Sequence, residues 1–360
     1  MKCLSLRHVA AALALVAVSG SRAEACDLCA LYTAVQVESP VEGAIRFGAS
    51  EQFTYLDRLQ RDGHYVDNTA HQFLKSSVTQ VSAQYDATDA TAFQLVLPVV
   101  GRDYRRIEDG QATKGSETGI GDMTLLMHYI PVRYAKGDTL VRLRVFGGVE
   151  LPTGDAHFLG EESAEGHHEE PADSHDEEAG SHDEGADEDM EQGHHSMIPR
   201  HNGVVHGAPA ENAIHGHDLA LGSGSFDFPL GAGITTQFSK FIFAADAQYT
   251  IRTEGAYSYQ YANDWVWSTA VGHYLYLTDD SQVALRARLS GQYKGYDTGK
   301  GGIEYTDTAF NGKFIGPELT ALVAHQWQGV LGWDIPIDVN NSDLQITPSY
   351  RIRAALTYRF

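Results

Sequence analysis

The chain has 360 residues, with 26 Lys and Arg against 48 Asp and Glu, and a formal net charge of −22 at pH 7. That balance offers no basic patch of the kind nucleic acid requires. After the first 25 residues no apolar run comes near the ~20 residues a membrane helix needs and no helical periodicity is sustained, whereas 36 Gly, 18 Tyr and 14 Phe suit a β protein that meets both water and lipid.

The opening stretch MKCLSLRHVAAALALVAVSGSRAEA has the layout of a secretory signal peptide: Lys2 and Arg7, an apolar run from Val9 to Val18, and the small-x-small site Ala23-Glu24-Ala25. Residues 1–25 are expected to be removed, and residues 26–42 to form a periplasmic N-terminal segment. It begins CDLCALYTA, a C-x-x-C pair outside the cytoplasm. Three readings of Cys26 and Cys29 stay open. An oxidising compartment favours a local disulfide. A soft-metal pair for Cu(I) or Zn also fits. Acylation of Cys26 is the third, against which Glu24 counts.

From residue 43 onward, runs of alternating character recur between clusters of Gly, Asp, Asn and Ser. They predict strands near 43–55, 71–86, 89–101, 118–131, 139–152, 223–238, 240–252, 263–277, 282–296, 313–325, 328–338 and 348–360. Short connections at 87–88, 135–138, 239–240, 278–281 and 326–327 alternate with long ones at 56–70, 102–117, 153–222, 253–262, 297–312 and 339–347. This is the signature of an all-β fold, an up-and-down antiparallel transmembrane β-barrel of about 12 strands, with short periplasmic turns and long external loops. Its lipid bilayer is the first implied partner. The barrel is expected over 43–360, interrupted by an external loop at 156–217.

Facing follows from the step of two. In VRLRVFGGVE, Val141, Leu143, Val145 and Val149 read as lipid-facing, with Arg142, Arg144 and Glu150 toward the lumen. In QVALRARLSGQYK, Arg286, Arg288 and Lys294 point inward, and in KFIFAADAQYTIR so do Asp246 and Arg252. The last strand, PSYRIRAALTYRF, sends Tyr350, Ile352, Leu356, Tyr358 and Phe360 one way and Arg351, Arg353 and Arg359 the other. Its terminal Phe behind alternating aromatics resembles the C-terminal signal of bacterial outer-membrane barrels. HQFLKSSVTQVSAQYD is too polar to assign a face. The expected lumen thus holds Arg46, Arg142, Arg144, Arg286, Arg288, Lys294, Arg351, Arg353 and Arg359, opposed by Asp122, Glu150, Asp246, Glu318 and Asp334. Two readings fit: a cationic lining that draws anionic solutes inward, or charges that pair and fill a narrow barrel.

The expected external loop contains HHEEPADSHDEEAGSHDEGADEDMEQGHH. Residues 161–191 hold fifteen Asp and Glu and no Lys or Arg, and so supply most of the net −22. Such a segment cannot bury enough apolar surface to fold by itself and is expected to be disordered in isolation. Eleven of the seventeen histidines fall here: His157, His167, His168, His175, His182, His194, His195, His201, His206, His215 and His217. Imidazoles and carboxylates are ligands for Zn, Ni, Cu and Co, so the loop is expected to bind several divalent transition ions weakly. A solvated acidic brush is the plain alternative.

TGIGDMTLLMHY (118–129), GGVELPTGD (147–155) and LGSGSFDFPLGAGIT (221–235) occur in that order. Their order and spacing resemble the outer-membrane barrels known as the MetA pathway of phenol degradation family, over about residues 117–280. The resemblance implies a transporter of small, often aromatic, solutes. The glycines of these motifs, Gly119, Gly121, Gly154, Gly222 and Gly224, read as turn and rim residues; none is catalytic. The acidic insert and the cysteines depart from the family pattern. No nucleophile–base pair or phosphate loop is evident, so no enzyme and no required cofactor is expected. Three functions remain: a small-solute channel with a metal-binding external loop, a barrel dedicated to transition-metal uptake, efflux or sensing, and a surface binding protein that conducts nothing.

Overall fold

The computed structural model describes residues 40–165 and 211–360. The expected signal peptide, Cys26, Cys29 and the histidines from His167 to His206 lie outside the described residues.

Sixteen strands follow in chain order: β1 (Ile45–Arg61), β2 (His64–Val66), β3 (Phe73–Asp86), β4 (Thr91–Glu108), β5 (Gln111–Ile120), β6 (Met123–Lys136), β7 (Thr139–Leu151), β8 (Phe228–Phe238), β9 (Phe241–Ile251), β10 (Asp264–Leu277), β11 (Gln282–Lys294), β12 (Asp297–Thr298), β13 (Glu304–Tyr305), β14 (Phe310–Val323), β15 (Trp327–Asn341) and β16 (Leu344–Arg359). Two short helices, α1 (Leu159–Glu165) and α2 (Gly216–Leu219), lie in the β7–β8 connection. β5 and β6 run end to end along β4 and count as one stave. β16 returns to pair with β1, Arg46 opposite Arg359 and Phe53 opposite Ile352. The result is a closed antiparallel barrel of twelve staves. The short turns gather at one end, the turn end, and the long connections at the other, the loop end.

Alternation decides what each face carries. On β4, Ala92, Gln94, Val96, Val100 and Arg102 are buried inside while Phe93, Leu95 and Val99 are exposed outside. β3, too polar to assign from sequence, has the same order: Ser76, Gln80, Ser82 and Gln84 are buried inside, and Val81 and Tyr85 are exposed outside. The outer face is an apolar belt edged by aromatics. Near the turn end Phe47 meets Phe360 at 5.7 Å and Trp327 meets Tyr358 at 4.5 Å between ring centroids. Toward the loop end Tyr55 meets Tyr350 at 5.7 Å and Tyr249 meets Trp265 at 6.4 Å. Two aromatic girdles around an apolar band are what a bilayer's two interfaces favour.

Four expected loops are partly strand: 339–347 is taken up by the ends of β15 and β16, 297–312 holds β12, β13 and the start of β14, and two more are hairpins. The 102–117 stretch is a hairpin, in which β4 continues to Glu108 and β5 returns from Gln111. Asp109 and Gly110, at φ 49° and 73°, make its turn. β1 likewise continues to Arg61 and turns back through Asp62 and Gly63, at φ 50° and 76°. Asp-Gly with both residues at positive φ is the favoured two-residue hairpin turn. The apolar alternation fades there because these strand ends rise past the apolar belt and their outer side chains, Asp103 and Arg105 among them, no longer need to be apolar. Conversely, β8 begins at Phe228, so residues 223–227 belong to the inward fold described below.

One residue breaks the belt. Glu51 of β1 lies on the outer face between Phe47 and Tyr55, where the Ser77 hydroxyl donates to it at 2.7 Å and Thr79 donates as well. Facing hydrocarbon, a carboxylate is destabilising, though less than Arg or Lys at the same depth. Glu51→Leu should therefore stabilise the barrel refolded in lipid vesicles by about 1 kcal/mol, read as a higher urea midpoint. A lowered midpoint would instead make the Glu51–Ser77–Thr79 group a clamp on the β1–β3 pairing.

Candidate functional site

The chain that leaves β7 at Leu151 and re-enters at Phe228 does not simply project outward. Its two ends fold back into the barrel. Where β5 gives way to β6, the Asp122 carboxylate accepts the Gly154 N–H at 2.8 Å, the Ser223 N–H at 2.6 Å and the Ser223 hydroxyl at 2.8 Å. The Thr153 hydroxyl donates to the Gly121 carbonyl and accepts from the Met123 N–H, both at 2.9 Å. The three glycine motifs of the sequence thus meet at one point inside the wall. A Cβ on Gly154 would fall 2.8 Å from the Gly222 Cα, and one on Gly222 would fall 2.7 Å from the Gly154 Cα and from Asp122 Oδ1. Glycine is required by close approach here.

Below this knot Leu221 packs on Val78 and Val100 of the wall. Above it Phe158, Leu159, Ile214 and Leu219 pack against Leu56, Leu74 and Tyr104 of the wall, Ile346 of β16, and Tyr259 and Tyr261 of the β9–β10 connection. Leu159, Ile214 and Leu219 are fully buried, each contributing about 1.5–3 kcal/mol of apolar burial. The loop end is therefore closed by a plug made of residues 153–162 and 211–227. Beside Asp122, Glu150, Leu221 and Arg252 a cavity of about 30 Å³ remains, large enough for ordered water.

Beneath and around the plug, the interior charges pair. Arg144 donates to Asp246 at 2.9 Å. Arg286 donates to Glu318, Arg353 bonds Glu318 at 2.8 Å and Asp334 at 2.7 Å, and Arg288 reaches Asp334 at 3.5 Å. Arg351 lies 3.9 Å over the Phe314 ring. Nearer the loop end Arg252 is ringed by Glu150 at 2.9 Å and by Asp227 and Asp264 at 2.8 Å. The interior is thus layered among the described residues: toward the turn end Arg144, Arg286, Arg288 and Arg353 share Asp246, Glu318 and Asp334, and under the plug Arg252 is held by Glu150, Asp227 and Asp264. Arg144, Arg286, Arg288, Arg351, Arg353, Glu150 and Asp246 are all buried, and Arg142 is half-buried. Sequence reasoning did not single out Asp86, Asp227, Asp264 and Asp297. Asp297 accepts from the Tyr259 hydroxyl and from Lys294, each at 2.5 Å, and Asp86 from Arg46 at 2.9 Å. All four sit at strand ends or in loops, where a step of two gives no facing.

Of the candidate metal ligands within the described residues, His157 is half-exposed beside Asp155 at 3.0 Å. His215 and His217 are built into the plug, with near-parallel rings 5.7 Å apart. His217 donates its backbone N–H and its Nδ1–H to Glu162, both at 2.9 Å. Burial alone would raise the Glu162 carboxyl; the His217 charge and these bonds outweigh it and hold the group down at about 2. Burial alone would lower His217, and Asp218, Glu162 and Asp307 together push it up to about 10.

No protein-family profile matches the chain, and no curated protein sequence matches it. Among solved structures it resembles an outer-membrane channel from Pseudomonas putida F1, with a TM-score of 0.57 and 15% identity over 90% of this chain and 100% of that one. At that identity the likeness shows the fold. The β domain of a Bordetella autotransporter aligns with a TM-score of 0.40 and 9% identity over 89% of this chain and 100% of that one. The monoaromatic hydrocarbon channel CymD aligns with a TM-score of 0.35 and 10% identity over 88% of each chain.

Asp122→Ala should loosen the plug without unfolding the barrel. Three bonds to one carboxylate are lost, worth about 2 kcal/mol in local opening, so the Gly154 and Ser223 amides should exchange with solvent roughly 30-fold faster while amides of β14 and β15 do not change. Glu318→Ala removes the carboxylate that Arg286 and Arg353 share in the interior and should destabilise the barrel by about 3–5 kcal/mol, read as a lower unfolding midpoint. An unchanged midpoint would mean that water reaches this layer.

Proposed function

We propose that the protein is an outer-membrane channel for small solutes, seen here with its plug seated. The observation that supports this best is the combination of an apolar, aromatic-edged outer face with a polar interior closed by chain folded in from one loop rather than by a packed core. In this reading the turn end is periplasmic and the loop end external, as outer-membrane barrels are built. The arginine-rich layer favours anions, and the TGIGD, LPTGD and LGSGS motifs resemble those of the phenol-degradation barrels. The solutes are accordingly small and aromatic or anionic. The His-, Asp- and Glu-rich segment between the two halves of the plug is external and holds divalent Zn, Ni, Cu or Co ions weakly and reversibly. A barrel devoted to moving those metals is the second reading, favoured by the eleven histidines gathered in one connection.

Single-channel recording on the purified chain in a planar bilayer tests the channel reading. The native protein should give small, brief openings, and a variant lacking residues 156–217 should give sustained current that benzoate reduces by competing with chloride. Loss of metal tolerance or metal-dependent growth in that variant, with unchanged benzoate passage, would favour the second reading. Absence of current from both proteins would sink the channel and leave a surface binding protein.

A further inference from the structure

We propose that His215, His217 and Asp307 are the ligands of one divalent transition-metal ion, of the zinc, nickel or cobalt class, bound in the plug. The site differs in kind from a flexible histidine-rich segment, which offers many interchangeable ligand sets, because here each donor is fixed. It stands on the geometry of the plug alone and holds whether or not the barrel conducts.

One ligand atom from each of the three residues lies within 4.8 Å of the other two. His215 Nδ1 is 3.1 Å from Asp307 Oδ2. That nitrogen is buried and makes no hydrogen bond, so the contact is a close approach of two ligand atoms out of line for an N–H donor. Tetrahedral zinc with bonds near 2.0–2.1 Å spaces its ligands by about 3.3 Å, so closure by no more than about 1.5 Å would seat the ion. Nickel and cobalt accept the same nitrogen and oxygen donors. The side chains of His215 and Asp307 are 16% and 23% exposed, which leaves the ion a way in.

The surrounding contacts have the form that metal sites use. Glu162, itself buried, holds His217 through Nδ1, which fixes the ring and leaves Nε2 as the nitrogen for an ion; a carboxylate behind a ligating histidine sets its tautomer and orientation. Asp218 Oδ1 lies 3.6 Å from that Nε2 and can fill a fourth position. Asp218 Oδ2 also accepts the His215 N–H at 3.0 Å, which sets the two histidines side by side. Metal and proton compete for the same ring nitrogen, so binding releases a proton. Bound metal would tie α2 to the β13–β14 connection that carries Asp307, and so pin the plug to the barrel rim.

Cobalt(II) titration of the full chain in detergent tests this, with the eight histidines from His167 to His206 changed to Asn to silence the external segment. The expected result is one cobalt per chain with visible d–d absorption, displaced by zinc. In that background His215→Gln and Asp307→Asn should each weaken binding at least 100-fold, and Glu162→Gln by 10–100-fold. His215 and Asp307 are part-exposed, so these two variants are expected to keep the barrel's heat-modifiable mobility; if one does not, the other decides. Absence of saturable cobalt binding, or unchanged affinity in a folded His215→Gln or Asp307→Asn variant, would overturn the site. Neither outcome bears on the conductance measurement.

Discussion

Closure of the sheet is the constraint on which the rest of this molecule depends. Because β16 pairs with β1, every stave has a neighbour on both sides over most of its length and the backbone's polar groups are used within the wall. Closure then divides each strand's side chains into two populations, one facing out and one facing a space about twelve strands in circumference. The outer population must be apolar if the surroundings are lipid. The inner one is free to be polar, and is, down to the glutamines of β3 and β4.

A polar interior brings a second requirement. Arginine and carboxylate removed from water are costly unless paired, and the pairing seen is correspondingly dense: Glu318 and Asp334 serve three arginines between them, and Arg252 serves three carboxylates. The plug obeys the same rule. Its polar knot at Asp122 is satisfied by backbone and hydroxyl donors, and its apolar side chains cover the aromatics of the loop end. Barrel and plug are therefore joined by a few directional bonds at mid-wall and by side-chain packing at the mouth, so the plug can be loosened while the wall keeps its hydrogen-bonded ladder.

The barrel was legible in the sequence because alternation is a local signal repeated along each stave: facing read from VRLRV and QVALRARL agrees with the burial of Arg144, Arg286 and Arg288. The extended hairpins were missed because apolar alternation was the signal sought, and it fades where a strand leaves the belt; the Asp109-Gly110 and Asp62-Gly63 dipeptides were the overlooked signal. The plug was not legible at all. That Gly154 touches Gly222, or that His215 meets Asp307, depends on residues far apart in sequence that only the closed wall brings together. The motifs were visible as motifs, but their common role, converging on Asp122, is a tertiary fact.

The β1–β16 seam also governs how the barrel can form. Its partners come from opposite ends of the barrel sequence, so the pairing that seals the cylinder has the greatest loop closure of any in the sheet and is favoured to come last. Until then the growing sheet presents two bare edges, each able to pair with another chain. The Phe47–Phe360 contact crosses that seam at its turn-end limit, and Tyr358, packed on Phe360, is braced from the other side by Trp327 of β15. Phe47 and Phe360 thus latch one end of the seam, adding a side-chain contact to the backbone pairing that removes the two bare edges.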